Sequence, residues 1–238
     1  MTGIHADAVA HIARKILRGR GVGGTALPTE PEMVRELGVS RTVVREAVKT
    51  LAAKGMVVTG PRLGTRARAV AEWNLFDPDV IAWRVAAGVD AKFLEDLVEL
   101  RLAIEPEAAR LAATRGEAEA IRRLEAAFQA MCDAVEGRGG YLAADLDFHQ
   151  AILVAADNQF LTALVPLLGA LLSVSFRHSV KSRASARGSL ALHEAVLKAI
   201  RRRRPDAAER ALRVLIGRAL DDIFSGAPVD GFIEKARA

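Results

Sequence analysis

Hydrophobic residues recur every three or four positions along most of the chain, which is the period of an amphipathic helix. Thr29, followed three residues later by Glu32, has the signature of a capping box, and Ser40 stands where a helix cap is expected. Two helices joined by the short turn "LGVS" form a helix-turn-helix motif, which DNA-binding proteins use. In the first third of the chain, the pattern predicts helices over residues 7–17, about 30–38 and 41–54.

The pattern changes after Gly55, where "MVVTGPRLGTRAR" is typical of two short strands around a Gly-Pro turn. A hairpin of this kind directly after a helix-turn-helix motif is a wing. Arg62 and Arg66 lie on or beside its loop, where they are placed to reach a DNA backbone or the adjacent minor groove.

The rest of the chain shows helical periodicity and no strand pattern. We therefore predict a mainly α protein, with an N-terminal winged helix-turn-helix domain followed by an all-α bundle of six or seven helices. The expected organisation is a DNA-binding domain over 1–70, a linker and connecting helix over 71–90, a helical effector-binding and dimerisation domain over 91–226, and a tail over 227–238. The helices of the bundle are predicted over residues 91–115, 117–136, 140–156, 159–180, 185–203 and 206–225.

Residues 160–176 contain no charged side chain, so they have to be considered as a membrane span. They are at the short end of what a span needs and include Pro166, so we expect a helix buried in the bundle and no membrane association. Cys132 is the single cysteine, which excludes an intrachain disulfide and favours a reducing cytoplasm. The N-terminus shows no export signal.

The positive charge of the chain is concentrated in its first third. Residues 1–70 contain twelve Lys and Arg against five Asp and Glu, whereas the remainder contains 22 against 24. A basic small domain joined to a nearly neutral larger one indicates a polyanion as the partner of the first and another ligand for the second.

The start of the third predicted helix carries side chains suited to reading DNA. Ser40, Arg41, Thr42 and Arg45 lie in its first turns, where a recognition helix meets base edges in the major groove. An arginine fork bonds guanine O6 and N7 together or clamps a phosphate. The alternative is that Arg41 and Arg45 are solvated charges on an exposed face, but the capped turn, the basic hairpin and the confined charge excess favour the DNA interpretation.

The segment "LPTEPEMVRELGVSRTVVREAVKTLAAKGMVV" resembles the winged-helix DNA-binding domain of the GntR superfamily of bacterial transcription regulators. The resemblance implies that Arg41 and Arg45, with Ser40 and Thr42, contact operator DNA and that Gly64 in the wing lies close to it. Several family members have an arginine where this chain has Pro31, so that contact is either missing or supplied by Arg35.

The predicted bundle carries polar side chains on inward helix faces. Arg101 interrupts an apolar stripe, and a buried arginine needs a partner, which is either Glu105 one turn on or a carboxylate ligand. Ser175 and His178 lie at the end of another inward stripe and are candidates for the same cavity.

Asp145 and His149 are four residues apart on one predicted helix, and His193 lies on the inward face of another. One aspartate and two histidines are suitable ligands for a divalent metal such as zinc, nickel or manganese. The competing interpretation is a pair of hydrogen-bonded core histidines without a metal.

The segments "LVELRLAIEPEAARLAA", "DLDFHQAILVAADNQFL" and "LHEAVLKAIRRRRPDAAERALRVLI" resemble the FCD domain, the helical effector-binding domain of the FadR branch of the superfamily. Many FCD domains hold a metal with one aspartate and three histidines, and a small carboxylate binds over it. Asp145, His149 and His193 match three of these positions, but the usual final histidine falls on Leu215. Water, His178 or the effector would then complete the shell.

The segment "GPRLGTRARAVAEWNLFDPDVIAW" is similar to regulators of sugar-acid catabolism of the galactonate type. This similarity implies a sugar acid as effector, with Arg101 binding its carboxylate and histidines binding its hydroxyl groups.

The sequence therefore predicts a transcriptional regulator, a repressor, that binds a pseudo-palindromic operator as a homodimer and responds to a small carboxylate. An alternative is a metal-sensing regulator, in which the ion itself is the effector. A metal-dependent enzyme is less favoured, because no acid or base stands beside the metal ligands and the basic domain would be unexplained.

Overall fold

The structure is a computed structural model that describes residues 3–19, 23–179 and 183–224, and their side chains except those of 173–185 and 220–224. The chain forms two compact units, which divide between Val89 and Asp90.

The first unit contains α1 (Ile4–Arg18), α2 (Glu30–Leu37), α3 (Arg41–Ala53), the hairpin β1 (Val57–Gly60) and β2 (Gly64–Ala67), a 3-10 turn over Val70–Glu72, and α4 (Pro78–Ala87). The helix-turn-helix prediction is confirmed. Ser40 Oγ accepts the Val43 N–H at 3.3 Å, and the Glu32 carboxylate accepts the Thr29 N–H at 2.7 Å. Gly38, with φ of 66°, makes the left-handed turn between α2 and α3.

The wing is an antiparallel pair in which Val57 lies opposite Ala67 and Gly60 opposite Gly64. The Leu63 N–H donates to the Gly60 carbonyl at 3.2 Å and closes the predicted Gly-Pro turn. Arg62 takes a positive φ of 64° at this turn, so its side chain is carried outward at the tip.

The segment 71–90 is expected as a linker and connecting helix, and residues 71–89 of it belong to the first unit. Trp73 is buried, and its indole Nε1–H donates to the Arg68 carbonyl at 3.0 Å. Val80 of α4 is fully buried in the same core. Gly55 allows this approach, because a Cβ atom there would meet the Glu72 carbonyl oxygen at 2.6 Å.

The second unit is helical in all the parts that the structure describes, and these contain seven helices. They are α5 (Ala91–Arg115), α6 (Ala118–Val135), α7 (Tyr141–Ala155), α8 (Gln159–Ala163), α9 (Val165–Ser179), α10 (Arg183–Arg201) and α11 (Pro205–Phe224). Helix α5 packs against α7, α10 and α11, and α6 packs against α7 and α10.

The prediction of one continuous helix over 159–180 is wrong, because the segment forms α8 and α9 with a break at Leu164. Pro166 has no N–H to donate to the Thr162 carbonyl, so the helical hydrogen bonding is interrupted there. Leu168 and Leu172 of α9 are buried, as expected for a helix of the bundle. No described helix has the length and apolar character that crossing a membrane requires.

Candidate functional site

Five charged or polar side chains are buried together in the core of the second unit. Each is at most 4% exposed, so each has exchanged water for protein partners. Helix α5 supplies the first two, α7 the next two and α10 the last: Arg101, Glu105, Asp145, His149 and His193.

The five side chains form one continuous chain of polar contacts. Arg101 Nε donates to Glu105 Oε1 at 2.7 Å, and Glu105 Oε2 lies 2.6 Å from His149 Nδ1. On the other side of the imidazole, His149 Nε2 lies 3.6 Å from Asp145 Oδ1. The same Oδ1 atom lies 2.8 Å from His193 Nε2. Glu105 is thus the partner of Arg101, one of the two alternatives that the sequence left open.

The hydrogen bonds of the two imidazoles indicate where their protons lie. His193 Nδ1 lies 2.9 Å from the Ser189 carbonyl oxygen, which can only accept, so this nitrogen carries a hydrogen. His149 Nδ1 faces the Glu105 carboxylate in the same way. In the neutral tautomers, both Nε2 lone pairs are therefore directed toward Asp145.

A cation fits this arrangement. The candidate ligand atoms of Asp145, His149 and His193 all lie within 4.8 Å of one another. Two neutral imidazole nitrogens and one carboxylate oxygen are a donor set that zinc and other divalent transition metals accept. A proton on His193 Nε2 would make the 2.8 Å contact with Asp145 a hydrogen bond, whereas a cation would bind His149 Nε2 as well as these two groups.

Both carboxylates of the cluster are anionic at neutral pH. Burial alone would raise the pKa of Glu105, but the charge of Arg101 and contact with His149 lower it to about 2. Burial would likewise raise the pKa of Asp145, and His193, His149 and the charge of Arg101 together hold it below its usual range.

Two further residues, which the sequence analysis missed, support His193. The Tyr141 hydroxyl lies 2.5 Å from Ser189 Oγ, and the Ser189 carbonyl oxygen accepts from His193. Burial, and then the negative charge of Asp145, raise the pKa of the Tyr141 hydroxyl, so it stays protonated. The signal was available, because Tyr141 and Ser189 each lie four residues before a proposed metal ligand.

Leu215, at the position of the usual final histidine, is buried on α11 and offers no ligand atom. The side chains of Ser175 and His178 lie outside the described residues.

The first unit presents the predicted DNA-contacting side chains at its surface. Ser40, Arg41 and Thr42 are exposed at the start of α3, and Arg35 is exposed on the last turn of α2. Arg45 is also exposed, and its Nε lies 2.9 Å from Glu30 Oε2.

At the wing, Arg62 and Gly64 are exposed near the tip. Arg66 is only half-exposed, and its Nη1 donates to the Gly24 carbonyl at 2.6 Å. This bond braces β2 against the segment that precedes α2, a structural role that the sequence did not indicate.

Both units match known families. Residues 5–66 match the family described as bacterial regulatory proteins, gntR family, and residues 96–218 match the FCD domain. Solved structures of Escherichia coli McbR/YncC and of the Listeria monocytogenes protein Lar share the fold. McbR/YncC has a TM-score of 0.55 and 15% sequence identity, and the match covers 96% of this chain and 100% of that protein. Lar has a TM-score of 0.64 and 19% sequence identity, and the match covers 92% of this chain and 95% of that protein.

Curated relatives agree with this class. The chain is 36% identical to the uncharacterized HTH-type transcriptional regulator YieP of E. coli K12, over 86% of this chain and 89% of that protein. It is 29% identical to the galactonate operon transcriptional repressor of the same strain, over 87% and 91%. A winged helix-turn-helix unit followed by a helical FCD unit defines a transcriptional regulator. The chain belongs to the GntR family of bacterial regulatory proteins, with an FCD domain as its second unit.

Proposed function

We propose that the protein is a homodimeric repressor whose binding to double-stranded operator DNA is controlled by a small carboxylate effector in the helical unit. The observation that carries the proposal is the buried cluster of Asp145, His149 and His193, present in the same chain as an exposed, basic helix-turn-helix motif. As a regulator of bacterial DNA, the protein would act in the cytoplasm.

The DNA contacts are assigned to the exposed start of α3 and the wing. Arg41 and Arg45 would read base edges or clamp phosphates, while Ser40 and Thr42 hydrogen-bond beside them. Arg35, Arg62, Gly64 and Arg66 would contact the flanking backbone, with Arg66 also holding the wing in place. A two-fold dimer would put two such motifs on a pseudo-palindromic site.

The metal would be zinc, nickel or manganese, held by Asp145, His149 and His193. Glu105 and the Ser189 carbonyl orient the two imidazoles from outside, as second-layer partners of metal-binding histidines do. Because Leu215 has no ligand atom, coordination positions remain for other groups, and His178, water or an effector carboxylate would take them.

The effector would be a sugar acid or a related small carboxylate. The resemblance of this chain to the galactonate operon repressor supports that class. Arg101 lies in the same buried cluster as Asp145, so a carboxylate bound there would compete with Glu105 for the guanidinium group. With Glu105, Ser175 and His178, Arg101 forms the proposed effector-binding set. The effector releases DNA only to the extent that it binds the DNA-free state more tightly.

Direct metal sensing is the second candidate function, because the three ligands are almost fully buried and their ligand atoms lie within 4.8 Å of one another. In that case, metal alone would change operator affinity. If a carboxylate effector is the signal, metal would be necessary for the change in operator affinity but would not cause it alone.

A thermal-shift screen of sugar acids and small dicarboxylates tests the proposal, run with zinc, nickel or manganese and again after chelation. We expect a sugar acid to stabilise the metal-loaded protein and to have little effect on the chelated one. His193→Gln should abolish the effect, whereas His11→Gln, which alters an exposed histidine of the first unit, should keep it. Stabilisation that persists after chelation would contradict the metal centre and favour a metal-free pocket at Arg101.

Operator binding is tested separately, on a duplex selected from a random pool by the wild-type protein. Arg41→Ala and Arg45→Ala should each reduce affinity severely while far-UV circular dichroism stays unchanged. Unchanged affinity in both variants would contradict the assigned recognition helix. Metal titration of this binding without any organic acid separates the two candidate functions.

A further inference from the structure

The cations of the first unit divide into two groups by their partners. One group forms ion pairs with a carboxylate, as Lys15 does with Glu36 and Lys54 with Asp77. Among the side chains that the structure describes in residues 3–70, six arginines form no ion pair with a carboxylate: Arg14, Arg18, Arg35, Arg41, Arg62 and Arg66. Two of them donate to a backbone carbonyl instead, Arg14 to Ala10 at 3.2 Å and Arg66 to Gly24 at 2.6 Å.

Four of these six arginines belong to the helix-turn-helix motif and the wing, where DNA contacts are proposed. The other two, Arg14 and Arg18, lie one turn apart on the exposed face of α1. They line a cleft of about 330 Å³ together with His11, Lys15 and Glu36. The single carboxylate of this cleft is already occupied, because Glu36 accepts from both His11 and Lys15.

The position of the cleft relative to the recognition helix follows from two contacts. At the start of α1, His5 Nε2 lies 3.3 Å from Thr50 Oγ1, near the C-terminal end of α3. Toward the other end of α1, Lys15 binds Glu36, which lies two residues before the turn that starts α3. Helix α1 thus runs antiparallel to α3, and its basic C-terminal half lies toward the DNA-reading end of the motif.

Cations near a helix C-terminus are favoured by the helix dipole, which accounts for part of this pattern. The dipole does not account for two like charges four residues apart on one face, which repel by about 0.2–0.5 kcal/mol. A phosphodiester backbone would offset that repulsion, because it carries regularly spaced negative charges.

We infer that the cleft on α1 is an additional DNA-backbone site, in which Arg14 and Arg18, assisted by Lys15, bind phosphates beside the groove that α3 enters. The inference rests on the proposed function, because it extends the DNA surface of the same motif. It adds affinity without sequence preference, since phosphates are the same at every base pair.

The test is the salt dependence of binding to a labelled duplex of about 30 base pairs of mixed sequence, measured by fluorescence anisotropy from about 50 to 300 mM KCl. Each lost phosphate contact reduces the slope of log K against log salt by about 0.9 in magnitude, so Arg14→Ala with Arg18→Ala should reduce it by nearly two for each protomer bound to the duplex. Arg14→Lys with Arg18→Lys should keep most of the wild-type slope, because the salt dependence depends on the positive charge at a phosphate and not on the guanidinium geometry.

The control is Arg122→Ala with Arg123→Ala on α6, which removes two exposed charges from the second unit and should leave the slope unchanged. A wild-type slope in the Arg14 and Arg18 double variant, or the same reduction in the control, would overturn the inference. If Arg41→Ala lowers DNA affinity in that case, the proposed function still stands. If the wild-type protein fails to bind duplex DNA, the proposed function itself fails.

Discussion

Lys54, at the end of the recognition helix, donates from Nζ to Asp77 Oδ2 at 2.6 Å and to Asp79 Oδ2 at 2.9 Å, at the start of α4. Its ammonium group also lies 5.7 Å from the ring centroid of Trp83. The Lys54 carbonyl accepts the Asn74 N–H at 3.0 Å. The recognition helix is therefore tied directly to the segment that leads out of the first unit.

Lys54→Ala should lower the free energy of unfolding of the first unit by about 1–3 kcal/mol, because the side chain is only 15% exposed and two carboxylates lose a charged donor. Urea unfolding followed by tryptophan fluorescence measures this, since both tryptophans lie in this unit. Lys49→Ala on the same helix is the control. It removes an exposed pair with Glu46 and should cost less than about 1 kcal/mol. Equal losses in the two variants would contradict a stabilising role for the contacts of Lys54 with Asp77 and Asp79.

Glu105→Gln should destabilise the second unit by about 3–5 kcal/mol, because it leaves the buried Arg101 charge without its carboxylate. Urea unfolding monitored by far-UV circular dichroism gives the loss. The matched change Glu107→Gln, two residues away on α5, breaks an exposed pair with Arg110 and should cost less than about 1 kcal/mol. A loss below about 1 kcal/mol for Glu105→Gln would mean that the buried ion pair of Arg101 and Glu105 does not stabilise the bundle.

Acid should weaken the cap of α2 through Glu32. Hydrogen bonds from the Thr29 backbone and hydroxyl lower the pKa of this carboxyl below 4.5, so its contribution to stability is complete above pH 4.5 and is lost as the pH falls through the lowered value. Glu32→Gln retains an amide oxygen that can accept the same bonds but does not titrate.

The difference in stability between wild type and Glu32→Gln, measured by tryptophan fluorescence, should therefore shift in favour of the variant as the pH falls below 4.5. A difference that is constant from neutral to acidic pH would contradict this assignment.

Leu215→His should increase the affinity for zinc at least about tenfold if α11 lies where the family resemblance puts its ligand, because a third imidazole would complete a four-ligand set. Zinc competition with a chromophoric chelator measures the affinity. Leu215→Gln is the control, because it also buries a polar side chain at this position but provides no imidazole. Equal affinities in the two variants would show that position 215 lies out of reach of the ion.

Local sequence signals predicted the elements of the fold better than the contacts between them. The caps at Thr29 and Ser40 and the Gly-Pro turn act within a few residues, so their patterns were sufficient. Periodicity identified the inward faces of Asp145, His149 and His193, but it contains no information on which helices pack together. The pairing of Glu105 with His149, 44 residues apart, required the structure. The break before Pro166 was missed because the long apolar stretch outweighed one proline.

The ion pair of Arg45 with Glu30 affects how the protein would meet its target. In the DNA-free protein, the Glu30 carboxylate accepts from Arg45 Nε, the group that would face DNA in the proposed complex. Binding would then exchange the Glu30 carboxylate for a DNA phosphate. The affinity contributed by Arg45 would be the difference between these two partners, and Glu30 would thereby favour release from sites that fit poorly.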